Sequence, residues 1–118
     1  MLTTIALLMA AGCAELPLDN APPDPPLLVS DGVLEPGFGV AVDVVCHDPD
    51  GDRVTIQFLA RAGAVEQPFV WTSFIQSDVA ETFYLPLAPG EWVLEAVARD
   101  ELDETGDPAA ITLSVVLD

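Results

Sequence analysis

Residues 38–58 read FGVAVDVVCHDPDGDRVTIQF. An alternating apolar run meets an acidic proline–glycine turn, and a second alternating run follows. Side chains on a strand repeat every two residues. Phe38, Val40, Val42, Val44 and Cys46 therefore share one face, which is apolar and should meet the core. Gly39, Ala41, Asp43, Val45 and His47 take the other. Val54, Ile56 and Phe58 repeat the pattern on the next strand, with Arg53, Thr55 and Gln57 outward. β-Branched residues crowd both runs and no helix cap precedes them, which argues against helices.

Working outward, the amino-terminal side holds a strand broken at its middle. Residues 27–30 are a short apolar run ending at Ser30-Asp31-Gly32, and residues 33–35 continue it up to Pro36-Gly37. The flanking prolines confine it to a sheet edge. On the carboxyl side, residues 61–66 read as a loop around Gly63, and residues 69–74, FVWTSF, as a strand. Residues 79–85 form the next strand, with Phe83 and Leu85 inward and Tyr84 outward. The periodicity leaves both faces open for Trp71. Residues 87–90 turn the chain into a strand over 91–100, whose Trp92, Leu94, Ala96 and Ala98 are buried. An acidic loop over 101–108 leads to a last strand over 109–117, with Ile111, Leu113, Val115 and Leu117 inward. Short strands separated by turns predict an all-β sandwich of about seven antiparallel strands.

The chain has 118 residues, enough for one domain. Hydrophobic residues make up 51%, which supports a packed core. Three arginines stand against twenty Asp and Glu, a net charge of -17. Phosphates would be repelled, so neither nucleic acid nor an anionic lipid surface is an expected partner. A solvated acidic surface accounts for such a charge; a cation or a basic partner would also profit from it.

Residues 1–12, MLTTIALLMAAG, contain an apolar centre far shorter than the roughly 20 residues a resident membrane helix needs. They suit the apolar region of an export signal. Ala10-Ala11-Gly12-Cys13 resembles the lipobox of bacterial lipoproteins. In that family the signal is cut before the cysteine, which then carries the lipid. The resemblance makes Cys13 the expected lipidation site and the membrane a partner through it. Ala10 stands where leucine is commoner, and no basic residue precedes the apolar run. An ordinary signal peptide and a buried amino-terminal segment are the alternatives. Residues 13–26 continue as CAELPLDNAPPDPP, where proline precludes a helix or a central strand. They form an extended spacer between the anchor and a domain over 27–118.

Within that domain, Asp48-Pro49-Asp50-Gly51-Asp52 followed by Val54-Thr55-Ile56-Gln57-Phe58 resembles the second turn and third strand of bacterial immunoglobulin-like domains, chiefly the polycystic-kidney-disease (PKD) type and cadherin-like modules. Leu87-Ala88-Pro89-Gly90-Glu91-Trp92 resembles the turn before their penultimate strand. The likeness implies an immunoglobulin-like sandwich and a non-catalytic role in adhesion, assembly or recognition of a protein or carbohydrate partner. The immunoglobulin pattern pairs a second-strand cysteine with a sixth-strand one; here Cys46 would face Ala96 and Ala98, so it should be a small buried hydrophobe.

The loops after strands two and six leave such a fold at one end. That would gather Asp48, Asp50 and Asp52 near Asp100, Glu101, Asp103, Glu104 and Asp107. Asp48, Asp50, Asp52, Asp100 and Asp103 are the candidate calcium ligands, since calcium takes several carboxylate oxygens. The competing reading is a plain acidic turn with Gly51 at positive φ. Cys46 and His47 are neighbours on a strand and point oppositely, so they cannot act as a thiolate–imidazole pair. One histidine leaves no serine-type triad and no zinc site. The chain is therefore not expected to be an enzyme. Trp71 and Tyr84, with Phe69 and Phe74, could form a binding surface or cover the core.

Overall fold

A computed structural model describes residues 20–117. The expected signal peptide, Cys13 and the first part of the spacer lie outside the described residues. Eight strands follow in order: β1 (Leu27–Val29), β2 (Val33–Glu35), β3 (Gly39–Val45), β4 (Val54–Ala62), β5 (Val65–Pro68), β6 (Glu81–Leu85), β7 (Gly90–Asp100) and β8 (Ala109–Leu117). Among the described residues there is no helix. The fold is all-β, with the strands paired in the order β1-β3-β2-β8-β7-β4-β5 and β6 on β3.

β1 and β2 pair in succession along one side of β3, and β6 takes its other side. β4, β5, β7 and β8 form the second layer, built on the long β4–β7 and β7–β8 ladders. β2 joins the layers by running parallel to the end of β8, so the expected all-β fold has eight strands, antiparallel but for this one pairing.

Alternation places the core where the periodicity predicts. Val40, Val42, Val44 and Cys46 face Val54, Ile56, Phe58, Leu94, Ala96 and Ala98, each at most 1% exposed. Across the layers, Phe58 meets Phe83 edge-on at 5.8 Å between ring centres. The first strand is broken as expected. Ser30 donates its hydroxyl to the Ala41 carbonyl at 2.6 Å, and Gly32 turns at φ 76°. A Cβ there would lie 2.1 Å from the Ser114 carbonyl oxygen, so the crossing tolerates only glycine. β1 is the edge strand; β2 is not, because β8 covers it.

Four expectations are corrected. Phe38 is 68% exposed instead of buried. Gly39, at φ 112°, interrupts the alternation, so Phe38 belongs to the turn and packs on Tyr84 at 5.7 Å. Leu117 is exposed, because β8 runs past the end of its ladder with β7 at Val115. Residues 61–66 are not all loop: β4 extends to Ala62 and β5 begins at Val65.

The fourth is FVWTSF, which is no regular strand. From Phe69 to Ile75 the chain follows β4 only from Phe58 back to Val54, anchored by Phe69 N to Phe58 O, Thr72 N to Ile56 O and Ile75 N to Val54 O. Six steps face four, so two extra residues bulge out and the ladder breaks. Thr72 Oγ1 repairs the gap by accepting the Ile56 amide at 3.0 Å.

Candidate functional site: an acidic pole built from two matched loops

β3 and β7 end at the same pole, and each runs into an aspartate that is 1% exposed: Asp48 and Asp100. Each uses one carboxylate oxygen to shape its own loop. Asp48 Oδ1 accepts the amides of Asp50 (2.8 Å) and Asp52 (3.2 Å), while its carbonyl accepts that of Gly51. Asp100 Oδ1 accepts the amides of Leu102 and Glu104, both at 2.9 Å, while its carbonyl accepts that of Asp103. The third residue after each aspartate has positive φ, 76° at Gly51 and 65° at Asp103. The two loops are thus one hydrogen-bonding motif made twice, satisfying donors that the end of a strand leaves free.

In each loop the local amides take Oδ1 and leave Oδ2 without a partner from its own loop. One carboxylate oxygen each from Asp48, Asp52 and Asp100 lie within 4.8 Å of one another. Oxygens on opposite sides of a calcium ion, bound at about 2.4 Å, are separated by about twice that bond. Asp48 Oδ2 and Asp52 Oδ2 are buried and have no hydrogen-bond partner among the described residues. Buried polar atoms are nearly always satisfied, so two orphaned carboxylate oxygens from one cluster are exceptional. Asp52 shows the strain: desolvation, then the charges of Asp48, Asp100, Glu101 and Asp50, raise its pKa above the ordinary 3.8.

The other acidic residues point elsewhere. Asp50 is exposed and accepts the Ala21 amide at 2.8 Å through Oδ2. Asp103 is exposed and lies 3.9 Å from the Arg99 guanidinium. Glu101 pairs with Arg53, whose side-chain hydrogen bond holds its carboxyl below the ordinary range. The structure therefore brings Asp48, Asp52 and Asp100 together and leaves Asp50 and Asp103 on the rim. Sequence reasoning missed Asn20, whose Nδ2 donates to Asp100 Oδ2 at 2.7 Å. It also missed the repeated loop, although an aspartate followed at the fourth place by another acid, with Gly or Asp between, occurs in both.

Elsewhere, Trp71 and Tyr84 line one open groove with Phe69, Phe83 and Leu85. Trp71 lies under the Arg99 guanidinium, 4.2 Å from its ring centre, and Phe74 is covered likewise by Arg53 at 5.2 Å. These stacks hold the bulged segment on its sheet. Cys46 is a free buried thiol, and His47 faces outward to Asp78 at 3.0 Å. The pair diverges, as alternation requires.

No protein-family model matches the chain, and no curated protein matches it. Similarity is found among solved structures, as two of them show. The PKD domain of an M14-like peptidase from Thermoplasmatales archaeon SCGC AB-540-F20 superposes with a TM-score of 0.64 at 21% identity, over 82% of this chain and 98% of that one. The fibronectin(III)-like modules of Clostridium thermocellum CbhA superpose with a TM-score of 0.55 at 13% identity, over 88% of this chain and 50% of that one. The likeness is one of fold: an immunoglobulin-like sandwich, as in those PKD and fibronectin(III)-like domains.

Proposed function

We propose that the protein is a non-catalytic cell-envelope lipoprotein. Residues 1–12 direct export, Cys13 carries the lipid, residues 13–26 form the tether, and the domain over 27–118 serves adhesion, assembly or recognition of a protein or carbohydrate. Its place is the outer membrane or the cell surface rather than the inner membrane. The observation that supports a module role is the PKD-type sandwich itself, a fold typical of non-catalytic modules. The groove beside Trp71 and Tyr84 offers a partner aromatic surface. Fractionation of cells producing the wild type and Cys13→Ala tests the anchor. The wild type should sediment with membranes and the variant should be released; a variant that stays with the membranes refutes it.

A second reading rests on the two orphaned oxygens. The acidic pole binds a divalent cation through Asp48, Asp52 and Asp100. Three carboxylates and no nitrogen or sulfur suit a hard ion, calcium above zinc. The ion would neutralise charges that the fold buries at close quarters. Titration calorimetry and melting with and without chelator test it: wild type should bind calcium and melt higher with it, and Asp52→Asn should lose both. No heat and no shift in the wild type refute it.

A further inference from the structure

The sandwich has open strand edges at β1, at β5 with the segment that follows it, and at β6. An open edge offers amides and carbonyls to any further strand, so proteins shorten it, bulge it or interrupt it with proline. β1 is three residues long and follows Pro25 and Pro26. β5 ends in Pro68, and the chain from Phe69 to Ile75 is bulged. β6 has none of these guards within it. It pairs with β3 at five successive positions, from Val40↔Leu85 to Val44↔Glu81, and among the described residues no strand pairs with its other side. Beside that free side lies the groove of Trp71 and Tyr84, where β6 of one layer and residues 69–73 of the other stand apart. Phe58 and Phe83 line it, and its space is about 350 Å³, at the small end of ligand sites.

We propose that β6 and this groove together receive an extended segment of a partner protein, added to β6 as a further strand, with apolar side chains at alternate positions and basic ones between them. The inference deepens the module reading given above and rests on it. A strand laid at the usual spacing of about 4.8 Å from β6 lies over the groove and pairs with the free amides and carbonyls of that edge. Its alternate side chains point as Phe83 and Leu85 do, into the gap between the layers; the others point outward with Thr82 and Tyr84. Charge selects the outward set. β1, β2, β3 and β6 carry Glu35, Asp43 and Glu81 and no basic residue. Asp43 lies beside the edge, where it accepts the Thr82 hydroxyl at 2.6 Å, and a lysine or arginine facing outward is drawn to it. The same charge disfavours a second copy of the chain, since each carries -17. A sugar ring stacks on a bare aromatic face, whereas Arg99 covers Trp71 at 4.2 Å, and a sugar would leave the β6 backbone unpaired.

The probe is a blocked heptapeptide of alternating lysine and valine, titrated into the full chain in detergent, with the same residues arranged in two blocks as control. Both peptides carry the same charge, so general attraction to an acidic protein cancels. The alternating peptide should bind roughly tenfold more tightly, the size expected of a few cross-strand pairs. It should also slow exchange, read by NMR, at those amides of residues 82–85 that β3 leaves free, roughly tenfold. Methylating alternate backbone nitrogens of the peptide should abolish both effects. Val70 lines the groove and is 87% exposed, so Val70→Lys should leave the melting temperature unchanged and weaken the alternating peptide roughly tenfold. Equal binding of the two peptides, or unchanged exchange along β6, overturns strand addition. A wild-type dimer in sedimentation that Val70→Lys dissolves assigns the edge to a second copy and overturns it too. If neither peptide binds while cellohexaose shifts the signals of Trp71 and Tyr84, strand addition is wrong and the module reading stands. The anchor in that reading is tested separately by the fractionation of Cys13→Ala, which no peptide result moves.

Discussion

Cys46 is fully buried on the core face of the chain after β3, and burial, then the charges of Asp48, Asp24 and Asp78, push its thiol up to about 11. The thiolate is the nucleophile, so Cys46 is inert while the protein is folded. Iodoacetamide at pH 8 should leave it unlabelled in peptide maps of native protein and label it fully in denaturant. Asp52 has the opposite outlook. Its folded pKa lies above its unfolded one, so the folded state holds the proton more tightly. The metal-free protein should therefore gain stability as pH falls from neutrality through that raised pKa towards 3.8, the ordinary value. Glu101 is held low by Arg53, so its contribution is present above 4.5 and is lost as pH falls through its lowered pKa. The Asp52 window reaches up from 3.8 and the Glu101 window down from 4.5, so urea denaturation in chelator across this range should show a maximum on the acid side of neutrality. Asp52→Asn should flatten the limb between that maximum and neutrality.

At the scale of the element, the paired loops and the bulged segment carry the clearest tests. Nothing lies within 4 Å of a Cβ on Gly51, so Gly51→Ala meets the left-handed backbone alone. It should destabilise by about 1 kcal/mol, with Gly51→Asn milder. Thr72→Val keeps shape and removes the acceptor of the Ile56 amide, a donor on a residue with no exposure. That should cost about 1–3 kcal/mol in chemical denaturation. These two elements also mark what sequence alone conveys. β3, β4 and β7 are legible because each is long and buries alternate residues, so period two is written in them. FVWTSF carries the same residue types, but a side-chain hydroxyl replaces a ladder bond and two residues loop out, which leaves no periodic trace. The meeting of the two acidic loops was legible from topology. Membership of the triad was not, because it depends on which carboxylate oxygen the local amides have already taken.

For the molecule as a whole, a net charge of -17 must be held together by one core and three arginines. Each arginine is committed: Arg53 to Glu101, Arg61 to Glu66 and Glu95, Arg99 to Asp103. These pairs are partly exposed and each contributes at most about 1 kcal/mol. The core therefore dominates: Phe58, 1% exposed between the layers, should lose about 3–5 kcal/mol on truncation to alanine, while Phe38→Ala, at 68% exposure, should change stability by roughly 0.5 kcal/mol or less. Against that core stands the mutual repulsion of the remaining acids, spread over the surface and screened within about 10 Å at 0.1 M salt. Sodium chloride should accordingly raise the melting temperature progressively up to about 0.5 M and then level off, as the screening length falls below the spacing of surface charges. Calcium should act at concentrations far too low to screen. A millimolar step in chelator-treated protein should raise the melting temperature beyond sodium chloride of equal ionic strength. The excess should vanish in Asp52→Asn while the sodium response persists. An equal response to both salts in the wild type would leave only diffuse repulsion at work, and the pole would be a surface like any other.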